Sequence, residues 1–183
     1  MIHKLADVKT TKIGINTNIW QYAVILENAE IGSNCNINCH TFIENDAIIG
    51  NNVTIKSGVF LWDGITIEDN VFVGPNVTFT NDKFPRSKQY PNEFLKTVIR
   101  KNATIGAGAI ILGGINIGEY SLIAAGAIVT NDIPARALVV GNPARIVGWV
   151  NEDGTKMIQL KNDIFIDNLG REWVNMSNEL KLI

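Results

Sequence analysis

The chain has 183 residues, of which 16 are lysine or arginine and 18 are aspartate or glutamate, so its formal net charge is −2. This balance lacks the excess of basic residues that binding to nucleic-acid phosphates requires, and we predict no nucleic-acid partner. The longest apolar run, Leu122–Val129, is far shorter than the roughly 20 residues of a transmembrane helix, and the polar start lacks the apolar core of a signal peptide. We therefore expect a cytoplasmic protein without a membrane span.

An apolar residue recurs every six positions along most of the chain. The series runs from Ile13 to Phe79 and from Ile99 to Val129, and 14 of its 18 positions are isoleucine. Three residues after nearly every one stands Asn, Gly or Asp, residue types that tolerate a left-handed backbone at a corner. Such short strands cannot bury themselves alone, so the period predicts a solenoid. Gly14, Gly32 and Gly50 recur at 18 residues, which predicts three strands per coil and about six coils.

One insertion interrupts this series. Between Phe79 and Ile99 the step is 20 residues instead of six, and the extra residues fall within Asn81–Lys96. Two prolines there cannot donate ladder hydrogen bonds, so we predict a loop that leaves the solenoid at a corner. Because one irregular loop on a regular scaffold commonly carries function, we expect residues 81–96 to be functional.

The period is lost near the C-terminus. Pro134 removes a backbone donor and is expected to end the coils. We predict a repeat domain at residues 1–150 and a small C-terminal cap or extension at residues 151–183. Within that extension, Arg171–Leu180 is interpreted as a helix.

The repeat motif resembles that of a known family. Ile31–Asn36 reads Ile-Gly-Ser-Asn-Cys-Asn and Ile105–Ile110 reads Ile-Gly-Ala-Gly-Ala-Ile. Over roughly residues 13–150 this is similar to the hexapeptide-repeat acyltransferases. The resemblance implies an all-β fold, a left-handed parallel β-helix with one protruding loop, acetyl-CoA as the acyl donor, and a homotrimer with its sites between subunits.

Small residues recur one coil apart where the resemblance places the coenzyme. Gly106–Gly108 lies 18 residues before Ala124–Gly126, so both sets stack at one corner and form a shallow groove suited to a thin pantetheine arm. The resemblance implies coenzyme contacts from Ala107, Ala125, Thr130 and Arg145, and we expect Lys101 to join Arg145 as a second cation for the phosphates. Relatives commonly have Thr-Lys-Asp where this chain has Thr-Asn-Asp at 130–132, so one phosphate contact differs.

A closer resemblance concerns the acceptor. The segments Gly58–Gly64 and Val71–Ser87 resemble N-acetyltransferases that act on nucleotide-linked 3-amino sugars, usually dTDP-3-amino-3,6-dideoxyhexoses used in surface polysaccharide such as O-antigen or the S-layer. The resemblance implies that Asn81 orients the sugar amine. The residues expected to bind the sugar nucleotide are Asp63, Asp82, Arg86 and Tyr90.

The choice between nitrogen and oxygen as acceptor depends on a catalytic base. A hydroxyl acceptor needs one, and sugar O-acetyltransferases of this fold carry a His in the loop where this chain reads Thr80–Lys83. An amine has a free-base fraction near neutrality, so orientation of the amine and polarisation of the carbonyl suffice. The missing loop His therefore favours N-acetylation.

Several alternatives stay open at this point. His40 is either a proton acceptor or a residue that tolerates a left-handed corner. With only two histidines and two cysteines in the chain, we predict no metal site. Sugar O-acetylation and a non-catalytic β-helix scaffold are the alternative functions, and the hexose epimer and the choice of dTDP or UDP are undecided.

Overall fold

The computed structural model describes residues 1–183 and contains 24 β-strands and no helix. It holds no helix with the length and apolarity to cross a lipid bilayer. The first 19 strands are β1 (Asp7–Val8), β2 (Asn18–Ile19), β3 (Val24–Ile25), β4 (Glu30–Ile31), β5 (Asn36–Ile37), β6 (Phe42–Ile43), β7 (Ile48–Ile49), β8 (Thr54–Ile55), β9 (Phe60–Leu61), β10 (Ile65–Ile67), β11 (Phe72–Val73), β12 (Thr78–Phe79), β13 (Thr97–Ile99), β14 (Thr104–Ile105), β15 (Ile110–Ile111), β16 (Asn116–Ile117), β17 (Leu122–Ile123), β18 (Ile128–Val129) and β19 (Ala137–Val140). The last five are β20 (Arg145–Trp149), β21 (Ile158–Lys161), β22 (Ile164–Ile166), β23 (Glu172–Met176) and β24 (Glu179–Leu182).

The first 19 strands form three parallel sheets, which are the faces of a three-sided prism (residues 1–140). Sheet A has the order β2-β5-β8-β11-β14-β17-β19, with β20 added antiparallel at its end. Sheet B is β1-β3-β6-β9-β12-β15-β18, and sheet C is β4-β7-β10-β13-β16. The chain passes from A to B to C and winds in the left-handed sense. The predicted all-β, left-handed parallel β-helix is confirmed.

The predicted coil geometry is also present in detail. Ile37 pairs with Ile55, 18 residues away, and the side chains of Ile67 and Ile105 are completely buried. The three residues that replace Asn, Gly or Asp at the corners still have positive φ, namely Tyr22 at 63°, His40 at 59° and Tyr120 at 56°. Side-chain identity at these corners is therefore secondary to backbone conformation.

The solenoid is longer than the prediction of about six coils. Ile2 pairs with Ile19 and β1 pairs with β3 before the series begins, and Ile133 pairs with Ile117 after it ends, which gives about seven coils. The period missed these ends because the steps there are irregular, four residues from Val129 to Ile133 for example. The prediction that Pro134 ends the coils was wrong, since β19 follows it and pairs with β17. Pro134 lies in the last row of sheet C, where no further row would accept its hydrogen bond.

The predicted helix at Arg171–Leu180 was wrong as well. The segment is the β23–β24 hairpin, whose two-residue loop is Ser177 at φ 54° and Asn178 at φ 65°. Consecutive left-handed residues suit a tight hairpin and interrupt any right-handed helix. Strands β21 to β24 form an antiparallel sheet, here called the C-terminal meander (residues 158–182).

Aromatic and ionic contacts attach the meander to the end of the prism. Trp149 and Phe165, both buried, pack edge to face with ring centroids 6.4 Å apart. The Arg136 guanidinium lies over the rings of Tyr120 and Trp173, at 4.7 and 4.9 Å from their centroids. Its Nη2 donates to Glu152 at 2.8 Å. These contacts hold the meander over the last coil.

Candidate active site

The three corners of the prism sort the predicted site residues into groups. The A–B corner, between sheets A and B, carries His40, Ala107 and Ala125. The B–C corner carries Asp63, Asn81 and Thr130, together with the loop at residues 81–96. The C–A corner carries Lys101 alone. Arg145 lies on β20, at the end of the prism.

The predicted groove of small residues is open at the A–B corner. A Cβ built on Gly108 or Gly126 would find no atom within 4 Å, and both have positive φ, at 65° and 70°. Ala107 and Ala125 beside them are exposed, and the Gly126 N–H donates to the Ala107 carbonyl at 2.9 Å. The backbone at this corner is therefore open to solvent, as the predicted groove requires.

Asn81 lies at the base of the loop and is fixed by the coil before it. Its Nδ2 donates to the Asp63 carbonyl oxygen at 3.2 Å, while the Asp63 carboxylate accepts the N–H of Asp46 at 3.0 Å. Asp63 and Asn81, which are 18 residues apart, thus form a column of polar residues at this corner. The Asn81 side chain is half-buried, and its amide oxygen accepts no hydrogen bond. That oxygen is available to a substrate donor.

Two glycines receive the returning end of the loop. Leu95 donates its N–H to the Asn81 carbonyl at 3.0 Å, which closes the base of the loop. A Cβ on Gly113 would lie 2.8 Å from the Thr80 carbonyl oxygen and 3.1 Å from Asn81 Cα. A Cβ on Gly64 would lie 2.7 Å from the Leu95 carbonyl oxygen. Sequence reasoning missed this contact, although the Gly113-Gly114 pair at the next corner was a visible signal.

The remaining loop residues divide by position. Asp82 is next to Asn81, and its carboxylate accepts the Phe84 N–H at 2.9 Å in a local turn. Arg86 donates only to the neighbouring Pro85 carbonyl, and Tyr90 is 81% exposed. The structure therefore places Asp82 with Asn81 at the base, and Arg86 and Tyr90 on the outer part of the loop, free of the prism.

A carboxyl group not predicted from the sequence lies next to this column. Glu44 Oε2 accepts the Asp63 N–H at 2.7 Å. Burial raises the pKa of the Glu44 carboxyl above its ordinary value. The hydrogen bond from the Asp63 N–H lowers this pKa, while the nearby Asp63 and Asp46 carboxylates raise it further. Glu44 thereby fixes the backbone of Asp63, on which Asn81 depends.

His40 lies on a different part of the surface. Its ring stacks on Tyr22 with centroids 5.2 Å apart and an interplanar angle of 22°. Both rings line a groove of about 440 Å³ on the outer face of sheet B, together with Phe42, Phe60 and Trp62. His40 and Asn81 are at opposite edges of sheet B and two coils apart, so one chain does not bring the two predicted catalytic residues together.

Three charged or polar residues were expected to contact the coenzyme, and the structure brings two of them together and places the third elsewhere. Thr130 and Arg145 line the same cavity of about 350 Å³ at the end of the prism. Lys101 lies on the C–A corner, where its Nζ is 3.4 Å from Glu119. Within a single chain, Lys101 is therefore remote from the open A–B corner.

The comparisons with known proteins agree with this geometry. A model of the bacterial transferase hexapeptide family (six repeats) matches residues 10–45, 46–81 and 96–131, and so omits most of the loop. The chain belongs to this hexapeptide-repeat family. A dTDP-3-amino-3,6-dideoxy-α-D-galactopyranose 3-N-acetyltransferase from Aneurinibacillus thermoaerophilus is 56% identical over 167 residues, which are 91% of this chain and 84% of that protein. The chain is accordingly an acetyltransferase.

Two solved structures have folds similar to that of this chain. A hexapeptide-repeat acetyltransferase from Vibrio cholerae, complexed with acetyl-CoA, superimposes with a TM-score of 0.56 at 27% identity, covering 75% of this chain and 70% of that one. A UDP-N-acetylglucosamine acyltransferase from Bacteroides fragilis gives a TM-score of 0.66 at 23% identity, covering 81% and 60%. The latter supports the fold alone.

Proposed function

We propose that this protein transfers the acetyl group of acetyl-CoA to the 3-amino group of a dTDP-linked 3-amino-3,6-dideoxyhexose. The position of Asn81 carries the proposal: a half-buried amide with a free oxygen, at the base of a loop that contains no histidine. The 56% identity with an enzyme that acts on the galactose epimer favours that epimer as substrate. The sequence alone left the epimer open.

The proposed reaction needs orientation more than proton abstraction. The amine nitrogen attacks the thioester carbonyl carbon, an N–C bond forms and the C–S bond breaks, and the amine proton ends on the thiol of CoA. The free Asn81 oxygen accepts an N–H of the amine and directs the nitrogen lone pair toward the carbonyl. Because the amine supplies its own lone pair, no side chain has to act as a base.

The substrate and coenzyme contacts follow the positions described above. Asp63 and Asp82 flank Asn81 and would bind the sugar, while Arg86 and Tyr90 on the outer loop would contact the diphosphate or the base. The open A–B corner at Ala107 and Ala125 would hold the pantetheine arm. Near the end of the prism, Thr130 and Arg145 would contact the phosphates.

We propose a homotrimer as the active unit. The outer face of sheet B carries the exposed Phe60 and the half-buried Phe42 and Trp62 beside His40, an apolar area that a second copy would cover. Such packing brings residues from different corners together between subunits, which is the only way for His40 or Lys101 to approach a site built on Asn81. The reaction would belong in the cytoplasm and supply amino sugars for O-antigen or S-layer polysaccharide.

A panel of acceptors tests the proposal. Purified protein with acetyl-CoA should release free thiol when given dTDP-3-amino-3,6-dideoxygalactose, and less with the glucose epimer or a UDP-linked amino sugar. Turnover only with a hydroxyl acceptor would assign the protein to the O-acetyltransferases instead. Absence of turnover with every acceptor would leave a non-catalytic scaffold.

Two substitutions assign the site residues. Asn81→Ala should lower kcat/KM about 10²-fold if its amide orients the amine, while Asn92→Ala in the same loop serves as the matched control. His40→Asn, which keeps the left-handed corner, should retain a near-normal rate if His40 is a corner residue. A loss comparable to that of Asn81→Ala would make His40 the proton acceptor.

A further inference from the structure

The B–C corner below the loop is held by side chains where the C–A corner is held by backbone hydrogen bonds. At the C–A corner, Asn52, Asn70 and Tyr120 each donate their backbone N–H to a carbonyl of the preceding coil. At the B–C corner, the corresponding N–H groups of Asp46 and Gly64 donate to side-chain carboxylates instead. Backbone hydrogen bonds form with almost any residue type. The geometry of the B–C corner therefore depends on the identity of its side chains.

Two carboxylates of one coil hold the backbone of the next coil at this corner. Glu44 Oε2 accepts the Asp63 N–H at 2.7 Å, and Asp46 Oδ1 accepts the Gly64 N–H at 3.0 Å. The Asp46 N–H in turn donates to the Asp63 carboxylate at 3.0 Å. Neither Glu44 nor Asp46 lies within 4 Å of a lysine, arginine or histidine nitrogen. Both carboxylates therefore serve here as acceptors of backbone hydrogen bonds and not as members of ion pairs.

The segment that these carboxylates hold supports both ends of the loop. The Asp63 carbonyl accepts Asn81 Nδ2 at 3.2 Å, and the Gly64 carbonyl accepts the Thr97 N–H at 3.0 Å. All four backbone hydrogen-bonding groups of Asp63 and Gly64 are thus paired. An amide carries its donor and its acceptor on opposite sides, so the bond from Asn81 Nδ2 determines where the Asn81 oxygen points. A displaced Asp63 carbonyl would allow this amide to rotate.

The strand that leads to Asn81 depends on a side chain in the same way. Phe79 of β12 does not pair with Leu61 of β9, and the Phe79 carbonyl accepts the indole N–H of Trp62 at 2.9 Å. In the preceding coil the Leu61 carbonyl accepts the backbone N–H of Glu44 at 2.9 Å. Regular backbone pairing is therefore interrupted just before Asn81, and the position of Asn81 depends more strongly on the contacts of its own side chain.

We infer that Glu44 and Asp46 are positioning residues of the acetyl transfer, which act through the Asp63–Gly64 backbone to direct the Asn81 oxygen at the substrate amine. The inference rests on the proposed function, because it takes an amine as the acceptor. Neither carboxylate has to contact the substrate in this role. Each has to supply a hydrogen-bond acceptor, so an amide side chain of the same length should replace it and a methyl group should not.

Steady-state kinetics with acetyl-CoA and dTDP-3-amino-3,6-dideoxygalactose test this inference. Glu44→Ala and Asp46→Ala should each lower kcat about tenfold, and the KM for acetyl-CoA should not change because the A–B corner lies outside these contacts. Glu44→Gln and Asp46→Asn keep the acceptor and should stay within about twofold of the wild-type kcat. Glu27→Ala is the matched control, since this exposed carboxylate lies at the same corner two coils below Asp63.

Double variants separate an effect through Asn81 from a general effect on the fold. Because the inferred role of Glu44 requires the Asn81 amide, adding Glu44→Ala to Asn81→Ala should cause no further loss beyond the approximately 10²-fold decrease of Asn81→Ala alone. The same should hold for Asp46→Ala. Losses that multiply in the double variants overturn the inference. Equal losses in the alanine and amide variants also overturn it, because the acceptor alone would then be insufficient.

The outcomes distinguish this inference from the proposed function. Wild-type protein that acetylates the amino sugar, with unchanged kcat in Glu44→Ala and Asp46→Ala, overturns only the positioning role. Wild-type protein that acetylates no amino sugar overturns both. Melting curves close to wild type establish that the variants are folded. If Glu44→Ala does not fold, Asp46→Ala provides the same test from the other carboxylate.

Discussion

The prism and the C-terminal meander are both all-β, yet they are stabilised differently. In the prism, each coil repeats the same parallel pairing, and its interior is columns of buried apolar side chains such as Ile67 and Ile105. The meander is antiparallel, and its attachment and stability rest on a few contacts of different kinds. The chief ones are those of Arg136 with two aromatic rings and those of the buried Asp167. Stability is therefore distributed over many equivalent contacts in the prism and concentrated in few at its end.

The largest effect is expected from the prism core. Ile67→Ala leaves a cavity between two neighbouring coils, because β10 pairs with both β7 and β13. We expect a loss of about 2–5 kcal/mol in the free energy of unfolding, measured by denaturant titration. Thr66→Ala on the outward-facing position of the same strand should change it by less than about 0.5 kcal/mol. Equal losses in both variants would contradict the idea of an isoleucine column as the main source of stability.

A smaller and more local effect is expected from Arg136. Arg136→Asn tolerates the left-handed backbone at φ 62° and removes both cation–π contacts and the hydrogen bond to Glu152. We expect about 2–3 kcal/mol of lost stability confined to the meander, seen as faster amide exchange in β22 and β23 with unchanged exchange in sheet C. Lys181→Asn, at an exposed pair, is the control. Uniformly faster exchange along the prism would show that the two regions unfold together.

The Asp167 carboxylate gives the meander a pH dependence. Burial opposes its ionisation, but hydrogen bonds from the Trp173 indole, at 3.0 Å, and the Arg171 guanidinium, at 2.6 Å, hold the pKa of Asp167 far below its ordinary value. Because the folded pKa is lowered, the stabilisation is complete above the unfolded value of about 4 and is lost as pH falls below it. Tryptophan fluorescence should report loosening of the meander below about pH 4 in wild type. In Asp167→Asn the meander should be loosened at neutral pH, and little further change should occur on acidification.

Glu44 should show the opposite sign and the smallest effect. Its raised pKa means that burying the ionised carboxyl costs stability once the pH exceeds the unfolded value of about 4.3. Glu44→Gln keeps an acceptor for the Asp63 N–H and removes the charge, so this variant should melt slightly above wild type at pH 7 and equally at pH 3. A lower melting temperature at pH 7 would indicate that the charge itself stabilises the corner.

What could be predicted from the sequence follows the same division. The period determines which residues point inward and which share a corner, so the buried Ile67 and the Asn81–Asp63 column were predictable. The β23–β24 hairpin was not predictable, because its strands are joined by the two-residue loop Ser177–Asn178, which belongs to no repeat. A spacing rule applies only where the same geometry recurs.

The candidate site was predictable in part for the same reason. The open corner at Ala107 and Ala125 follows from the 18-residue spacing. The same spacing places Lys101 on another corner, which the expectation of a phosphate contact did not take into account. Glu44 reaches the Asp63 N–H, and Leu95 reaches Gly113, through contacts between residues that the six-residue period does not relate. Only coordinates could reveal those contacts.

The closed base of the loop has a consequence for how this enzyme diversifies. The Leu95–Asn81 hydrogen bond and the contact of Leu95 with Gly113 fix both ends of the insertion independently of its outer residues. The sequence of residues 83–93 can therefore be replaced without moving the side-chain amide of Asn81. A change of sugar specificity would then require substitutions in the outer part of the loop, while Asn81 and the residues that fix it keep their positions.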